Sequence, residues 1–304
     1  MLLVDAIDEF LIEQRVRGNA SSTVRDYTTK LNFFKDFAGN IDISKIDLHL
    51  CRSYYLHIAE LQSNTVTVQT YIRSLRAFLN FLFNNELIEV DICRKFKLPK
   101  ARKMLIDILT DDEIEALYSV FPSDSFYDLR NKLIVSLMLD SGLRLHEVVT
   151  AERRKLHLKE RFIIVTGKGN KQRAVAFGLN TQNIFEKYLE ICPDSDRLII
   201  KVSTSGEVLP IEDTTIKQLF RKLKISSGIK RLHPHLLRHT FATRYLENGG
   251  NIFSLQLLLG HTSLEMVKNY LHLAQTRVRK DFVNYSPLDR YIDEIQAKKK
   301  PPQA

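Results

Sequence analysis

The sequence predicts a mostly α-helical chain in two parts, with a small antiparallel sheet set into the second part. Apolar residues recur at helical spacing through the first part. A basic stretch containing Pro99 then breaks the pattern. Beyond it, one pair of strand-like segments joined by a glycine turn interrupts a second series of helical segments. With 304 residues and 44% apolar side chains, the chain has material for two cores.

The elements follow in order. Val4, Ile7, Phe10 and Leu11 share one helical stripe, which Arg17-Gly18-Asn19 ends. Ser21-Ser22-Thr23 opens a second helix carrying Val24, Tyr27, Leu31, Phe34 and Phe37, and Gly39-Asn40 closes it. A third helix is expected from about Ser44 to Leu61. A fourth starts after Ser63-Asn64 with Val68, Tyr71, Ile72, Leu75, Phe78, Leu79 and Leu82, and places Arg73 and Arg76 on its other face. Those arginines read equally well as a solvated helix face or as contacts to a polyanion. The stretch RKFKLPKARK, Arg94 to Lys103, reads as an extended linker. The expected division is therefore 1–98, a linker over 99–109, and 110–304.

The second part opens with Thr110-Asp111-Asp112-Glu113, a capping-box pattern for a helix through Phe121. Another helix spans about Tyr127 to Asp140. Arg161 to Val165 reads as a strand, Gly167-Lys168-Gly169-Asn170 as a tight turn, and Gln172 to Phe177 as the returning strand. From Asn180 helices dominate again. The closing AKKKPPQA reads as a polar, disordered tail.

The formal net charge is +9, which suits a polyanionic partner. The three cysteines, Cys51, Cys93 and Cys192, are an odd and widely spaced set, against a disulfide framework or a CxxC metal site. No apolar run approaches the roughly 18–20 residues that cross a bilayer. The first residues carry acids rather than a basic start, against a signal peptide. A cytoplasmic protein without membrane contact is expected.

Five segments carry candidate chemistry: Gly142-Leu143-Arg144-Leu145-His146-Glu147; the turn from Thr166 to Arg173; His233 to Thr243; Leu259-Gly260-His261; and Tyr270-Leu271-His272, nine positions after His261. Two arginines, a hairpin lysine, two histidines and a tyrosine suit attack on a phosphodiester. Guanidinium forks match the non-bridging oxygens, so Arg144 and Arg238 could clamp the phosphate while charge builds on it. A lysine among cations has its pKa drawn down and becomes a usable general acid, a role for Lys168. His235 and His261 could donate hydrogen bonds or relay protons. Tyr270 would be the nucleophile, and a phosphotyrosine ester would conserve the bond energy needed to reseal the strand. Lys171 and Arg173 read as contacts to the DNA backbone. So do the linker residues Lys100, Arg102 and Lys103.

These segments resemble those of the tyrosine recombinase and integrase family. There, a GLRxxE arginine, a β-hairpin lysine, an HxLRHxxAT segment, an LGH segment and a nucleophilic tyrosine occur in this order. The resemblance implies catalytic roles for Arg144, Lys168, His235, Arg238, His261 and Tyr270, with Glu147 buttressing Arg144. The motifs cover roughly 110–285. The layout of the first part resembles the family's four- or five-helix core-binding domain, and the second part its mainly helical catalytic domain. The resemblance implies a site-specific recombinase without a cofactor, working on double-stranded DNA through a 3′-phosphotyrosyl intermediate and a Holliday junction. Two protomers would bind each site, with a homotetramer on paired sites. A C-terminal helix, around 275–284 or 288–295, would dock on the neighbouring protomer.

Other roles fit several of these residues. His235 and His239 are four apart on a helix, but no further ligand for a metal lies nearby, and His239 reads as structural. His146-Glu147 does not open an HExxH site, because Thr150 fills the last position. The Gly167 turn lacks the spacing of a phosphate loop and could be a solvated hairpin tip. Tyr285 and Tyr291 are the alternative nucleophiles. The rival functions are a type IB topoisomerase and a non-catalytic DNA-binding regulator.

Overall fold

A computed structural model describes residues 1–62, 64–97, 107–167 and 170–260. The chain divides into two compact units, Met1–Met104 and Leu105–Ala304.

The first unit is helical. Helices α1 (Leu3–Val16), α2 (Ser21–Ala38), α3 (Leu48–Leu61), α4 (Thr65–Asn84) and the single turn α5 (Ile92–Lys95) follow in order. Helix α4 packs against the other four. It buries Val68, Ile72, Leu75, Phe78, Leu79 and Leu82, the stripe its spacing predicts. Phe10 of α1 sits at the centre, edge-to-face with Tyr27, Phe78 and Phe81 at centroid distances of 5.1, 5.8 and 5.4 Å. Such edge contacts place the positive ring rim against the negative face.

Two expectations shift here. The third helix starts at Leu48 rather than Ser44, because the Asp47 carboxylate accepts from the Leu50 N–H at 2.7 Å and caps it. Residues Ile43–Lys45 instead form a separate 3-10 turn. The linker does not begin at Arg94: Asp91 caps α5, and Ile92, Cys93 and Phe96 are buried in the first core. Arg94 and Lys95 are therefore helical.

In the second unit the elements are α6 (Asp111–Ser119), α7 (Phe126–Asp140), α8 (Leu145–Val149), β1 (Leu156–His157), β2 (Phe162–Thr166), β3 (Gln172–Ala176), α9 (Leu179–Ile191), β4 (Ile200–Val202), β5 (Val208–Pro210), α10 (Asp213–Ser226), α11 (Pro234–Glu247) and α12 (Ile252–Leu259). The Thr110 capping box forms in full: Thr110 Oγ1 accepts from the Glu113 N–H at 3.2 Å, and the Glu113 carboxylate from the Thr110 N–H at 2.9 Å. Helix α7 is enclosed by α8, α9 and α11. It buries Leu129, Leu133, Ile134, Val135, Leu137 and Met138 around most of its girth, as a central core helix must.

Strands β1, β2 and β3 form an antiparallel sheet in that order, with Val165 opposite Arg173 and Thr166 opposite Gln172. Alternation turns Ile163, Val165 and Val175 into the core. Strand β1, the short helix α8 and the β4–β5 hairpin were not expected from the pattern; two- and three-residue strands and a one-turn helix carry too few residues to show a period. The second unit's packing also starts before its first helix. The Leu109 N–H donates to buried Thr240 Oγ1 at 3.0 Å, and Arg231 bonds the Ile108 carbonyl at 2.8 Å and pairs with Asp107 and Glu113.

Among the described residues, no helix is long and apolar enough to cross a membrane.

Candidate active site

Helix α11 carries two of the expected residues. Pro234 takes the first helical position, where its fixed φ suits the turn, and His233 caps the helix by accepting from the Leu236 N–H at 3.0 Å. His235 and Arg238 then lie one turn apart on the helix's opening stretch.

Arg238 is only 5% exposed. Its Nη1 donates to the carbonyl of Gly142, and its Nη2 to the carbonyl of Leu259 at 2.7 Å. The guanidinium thus joins α11 to the loop just before α8 and to the last turn of α12. Gly142 has φ +63°, and a Cβ there would run into the Phe241 ring and come within 3.0 Å of Leu259 Cδ2. Only glycine allows this close approach.

Arg144 caps α8 from two residues beyond Gly142. Its backbone N–H donates to Glu147 Oε2 at 2.8 Å, and its Nη1 to Glu147 Oε1 at 3.0 Å. About a third of its side chain stays exposed, at 34%, while that of Glu147 is 3% exposed. A partly exposed arginine side chain held by a buried carboxylate is oriented for an anion.

Arg173 of β3 also reaches Glu147. Nη1 donates to Oε1 at 2.7 Å and Nη2 to Oε2 at 2.9 Å, a bidentate fork. Its Nε donates to the Leu258 carbonyl at 2.8 Å. Its side chain is 13% exposed, with all three guanidinium nitrogens engaged. This corrects the reading of Arg173 as a DNA-backbone contact: it is an internal tie. Strand alternation carried the signal, since Arg173, Val175 and Phe177 share the inward face and the last two are buried.

Burial alone would push the Glu147 carboxyl up, but the Arg173 fork and then Arg144 outweigh it and hold the group below its ordinary range. His235 is shifted down from the usual histidine value, first by burial and then by the charges of Arg238 and Arg144. The fields of both arginines therefore converge on His235. His239 is lowered as well, by burial, by His235 and His233, and by Arg238; its ring centroid lies 6.5 Å from that of His235.

Helix α12 ends on Gly260, in the left-handed conformation at φ +62°. Its Leu258 and Leu259 carbonyls, in the last turn of the helix, accept from Arg173 and Arg238. The Leu-Gly segment thus supports both arginine systems, a function its sequence did not reveal.

Other candidates fall elsewhere. Lys171 is exposed beside the β2–β3 turn, and its carbonyl accepts from the Gly167 N–H at 2.8 Å. Arg73 is exposed on α4, with Nη2 donating to Gln69 at 3.1 Å. Arg76 turns inward, and its Nη1 donates to the carbonyls of Cys93, at 3.0 Å, and Phe96. Lys100, Arg102, Lys103, Lys168, His261 and Tyr270 lie outside the described residues, as do Tyr285, Tyr291, the candidate exchange helices and the tail. Among the described residues, no three histidine, cysteine or carboxylate side chains gather as a metal site would require.

The family model described as the phage integrase family matches residues 107–277, more than half of the chain, and that of the phage integrase SAM-like domain matches residues 2–98. The chain is 29% identical to tyrosine recombinase XerD of Oceanobacillus iheyensis, over 94% of this chain and 99% of the relative. It is likewise 29% identical to tyrosine recombinase XerC of Bacillus pumilus, over 94% and 96%. In fold it is similar to the Tn1549 transposon integrase solved with a circular intermediate DNA, at TM-score 0.74 and 19% identity over 90% of this chain and 98% of that one. It is also similar to a lambda integrase dimer bound to a core site, at TM-score 0.73 and 18% identity over 89% and 95%. With its two arginine systems, the chain belongs to the phage integrase family and is a tyrosine-type DNA strand transferase of site-specific recombination.

Proposed function

We propose that this chain cuts and rejoins double-stranded DNA at paired recombination sites by direct transesterification through Tyr270. Arg144 and Arg238 bind the non-bridging oxygens of the scissile phosphate. Tyr270 Oη, its proton passed to a histidine of the site, bonds to phosphorus as the bond to the 5′ oxygen breaks, and Lys168 gives that oxygen its proton. The products are a 3′-phosphotyrosyl link and a free 5′-hydroxyl. His235 and His261 donate hydrogen bonds to the phosphate, and Glu147 orients Arg144. No cofactor is required, because the ester keeps the energy of the cut bond.

One observation carries this reading: Arg238 bonds the Gly142 carbonyl two residues before Arg144, so the two arginines converge on one loop. Preorganised charge of this kind acts where charge develops in the transition state. The relatives named as tyrosine recombinases, and the neighbours solved on DNA, support the choice of substrate.

Residues 1–98 form the core-binding domain and 110–304 the catalytic domain; of the expected linker 99–109, residues 107–109 already pack with the catalytic domain. Arg73, Lys100, Arg102, Lys103 and Lys171 contact the DNA backbone, and Arg76 holds the end of α5. Two protomers occupy each site and four the synapse, with a Holliday junction between the two strand exchanges. A C-terminal helix from 275–284 or 288–295 joins neighbouring protomers. The protein works in the cytoplasm.

A nicked suicide substrate carrying the recombination site tests this. The wild type should leave a covalent protein–DNA band on a denaturing gel, and Tyr270→Phe should not. A band that persists in the variant moves the nucleophile to Tyr285 or Tyr291. Relaxation of supercoiled DNA that lacks any site would favour topoisomerase chemistry instead.

A further inference from the structure

We infer that Arg173 is a positioning residue for strand cutting, one side chain that sets Arg144 and Arg238 together. It rests on the proposed function, in which those two arginines bind the phosphate.

The geometry is that of a hub. The Arg173 fork holds both Glu147 oxygens, and Glu147 holds Arg144 through its backbone N–H and its Nη1. The remaining nitrogen, Nε, bonds the Leu258 carbonyl, and the next carbonyl along, Leu259, is the one that Arg238 bonds. Gly260 is packed against the same side chain: a Cβ at Gly260 would stand 3.1 Å from Arg173 Cδ, Nε and Cζ. A Cβ on Gly167, in the β2–β3 turn, would lie 3.4 Å from its Nη1. One guanidinium on β3 thus fixes α8 and the end of α12 relative to one another.

Lysine cannot replace it. A single ammonium can neither present a parallel fork to Glu147 nor reach the Leu258 carbonyl at the same time. Displacing a phosphate-binding group by about 1 Å costs about a hundredfold in rate. Among the described residues, the charged groups facing Glu147 are Arg144, from the start of its own helix, and Arg173, from β3. Without Arg173 less positive charge opposes the effect of burial, so the carboxyl takes up a proton at higher pH and releases Arg144.

The test uses the full-length chain with R173K and R173M. Single-turnover formation of the covalent complex is measured from pH 5 to 8, well below each variant's melting temperature, beside the affinity for the same DNA. The expected result is a rate lower by about 10–100-fold, with DNA affinity within about twofold of wild type. The R173M rate should fall further towards acid pH, and adding E147Q should flatten that limb. Wild-type rates per folded molecule in either variant would overturn the inference. So would a loss matched by weaker DNA binding with an unchanged pH profile, which would make Arg173 a DNA contact. If R173M does not fold, R173K carries the comparison. A wild type that never forms the complex counts against the proposed function itself, since Arg173 then has no reaction to position.

Discussion

Arg238 donates to the carbonyl of Leu259 at 2.7 Å, joining the second turn of α11 to the last helical residue of α12. The same guanidinium bonds Gly142. Arg238→Ala should therefore have two effects. It leaves two carbonyls without their donor, at about 1–3 kcal/mol each when buried. It also removes a charge that the proposed mechanism places at the transition state, worth about 100–1000-fold in rate. Covalent-complex formation should fall by that factor, with DNA affinity reduced much less. A variant that binds poorly but cleaves normally once bound would contradict this role.

Gly142 tolerates no side chain. Its left-handed backbone costs an alanine about 1–2 kcal/mol, and the collision with Phe241 adds about 1–3 kcal/mol of overpacking. Gly142→Ala should lower the melting temperature clearly and slow cleavage, because the displaced carbonyl is an anchor of Arg238. Gly206 also has a positive φ, but a Cβ there meets nothing within 4 Å. Gly206→Ala should therefore cost only the backbone share, which a calorimetric comparison of the two variants would show.

Legibility followed periodicity. Helices α1, α2 and α4 each bury one stripe, so their spacing announced them. The β2–β3 hairpin was visible through alternation around a glycine turn, and its bounds moved by one residue. The caps were harder to choose. Ser44 and Asp47 are both good capping residues, and only the Asp47–Leu50 bond shows which one opens α3. At the candidate site, residue types singled out Arg144, His235, Arg238 and Glu147. What holds them was hidden, because the Gly142, Leu258 and Leu259 carbonyls belong to the backbone and carry no residue signature. Arg173 was misread for a related reason: a basic residue beside a turn looks solvent-facing until its alternation with Val175 and Phe177 is weighed.

Acid should weaken the second unit in two stages. His233, His235 and His239 all titrate below the ordinary histidine value, chiefly through burial. The unfolded chain then binds protons first, so stability declines as pH falls through about 6.5 and levels off below the folded values. Glu147 and Glu113 are held below the ordinary carboxylate range, so the stability they contribute is present above about 4.5 and is lost as pH drops through their folded values. Melting temperature should step down between pH 7 and 6, and again under more acid conditions. His239→Gln should shrink the first step and leave the second. A wild-type profile flat from pH 7.5 to 5.5 would refute this account of the histidines.

Arg73 and Arg76, three residues apart on α4, should behave oppositely when neutralised. Arg76 holds the Cys93 and Phe96 carbonyls at the end of α5, where Cys93 and Phe96 are themselves buried. Removing it leaves those carbonyls without a charged donor, and hydrogen bonds to charged groups contribute about 1.5–3 kcal/mol. Arg76→Gln should therefore destabilise the first unit by that order. Arg73 is exposed, and its guanidinium donates to the neutral side chain of Gln69. Arg73→Gln should leave stability within about 0.5 kcal/mol, the usual range for surface substitutions. If Arg73 meets a phosphate, its loss weakens binding to all sequences alike and reduces the salt slope of log K by about 1. Chemical denaturation and a salt titration of DNA binding measure both variants. Equal loss of stability in the two would show that Arg73 is also structural, and an unchanged salt slope in Arg73→Gln would remove it from the DNA interface.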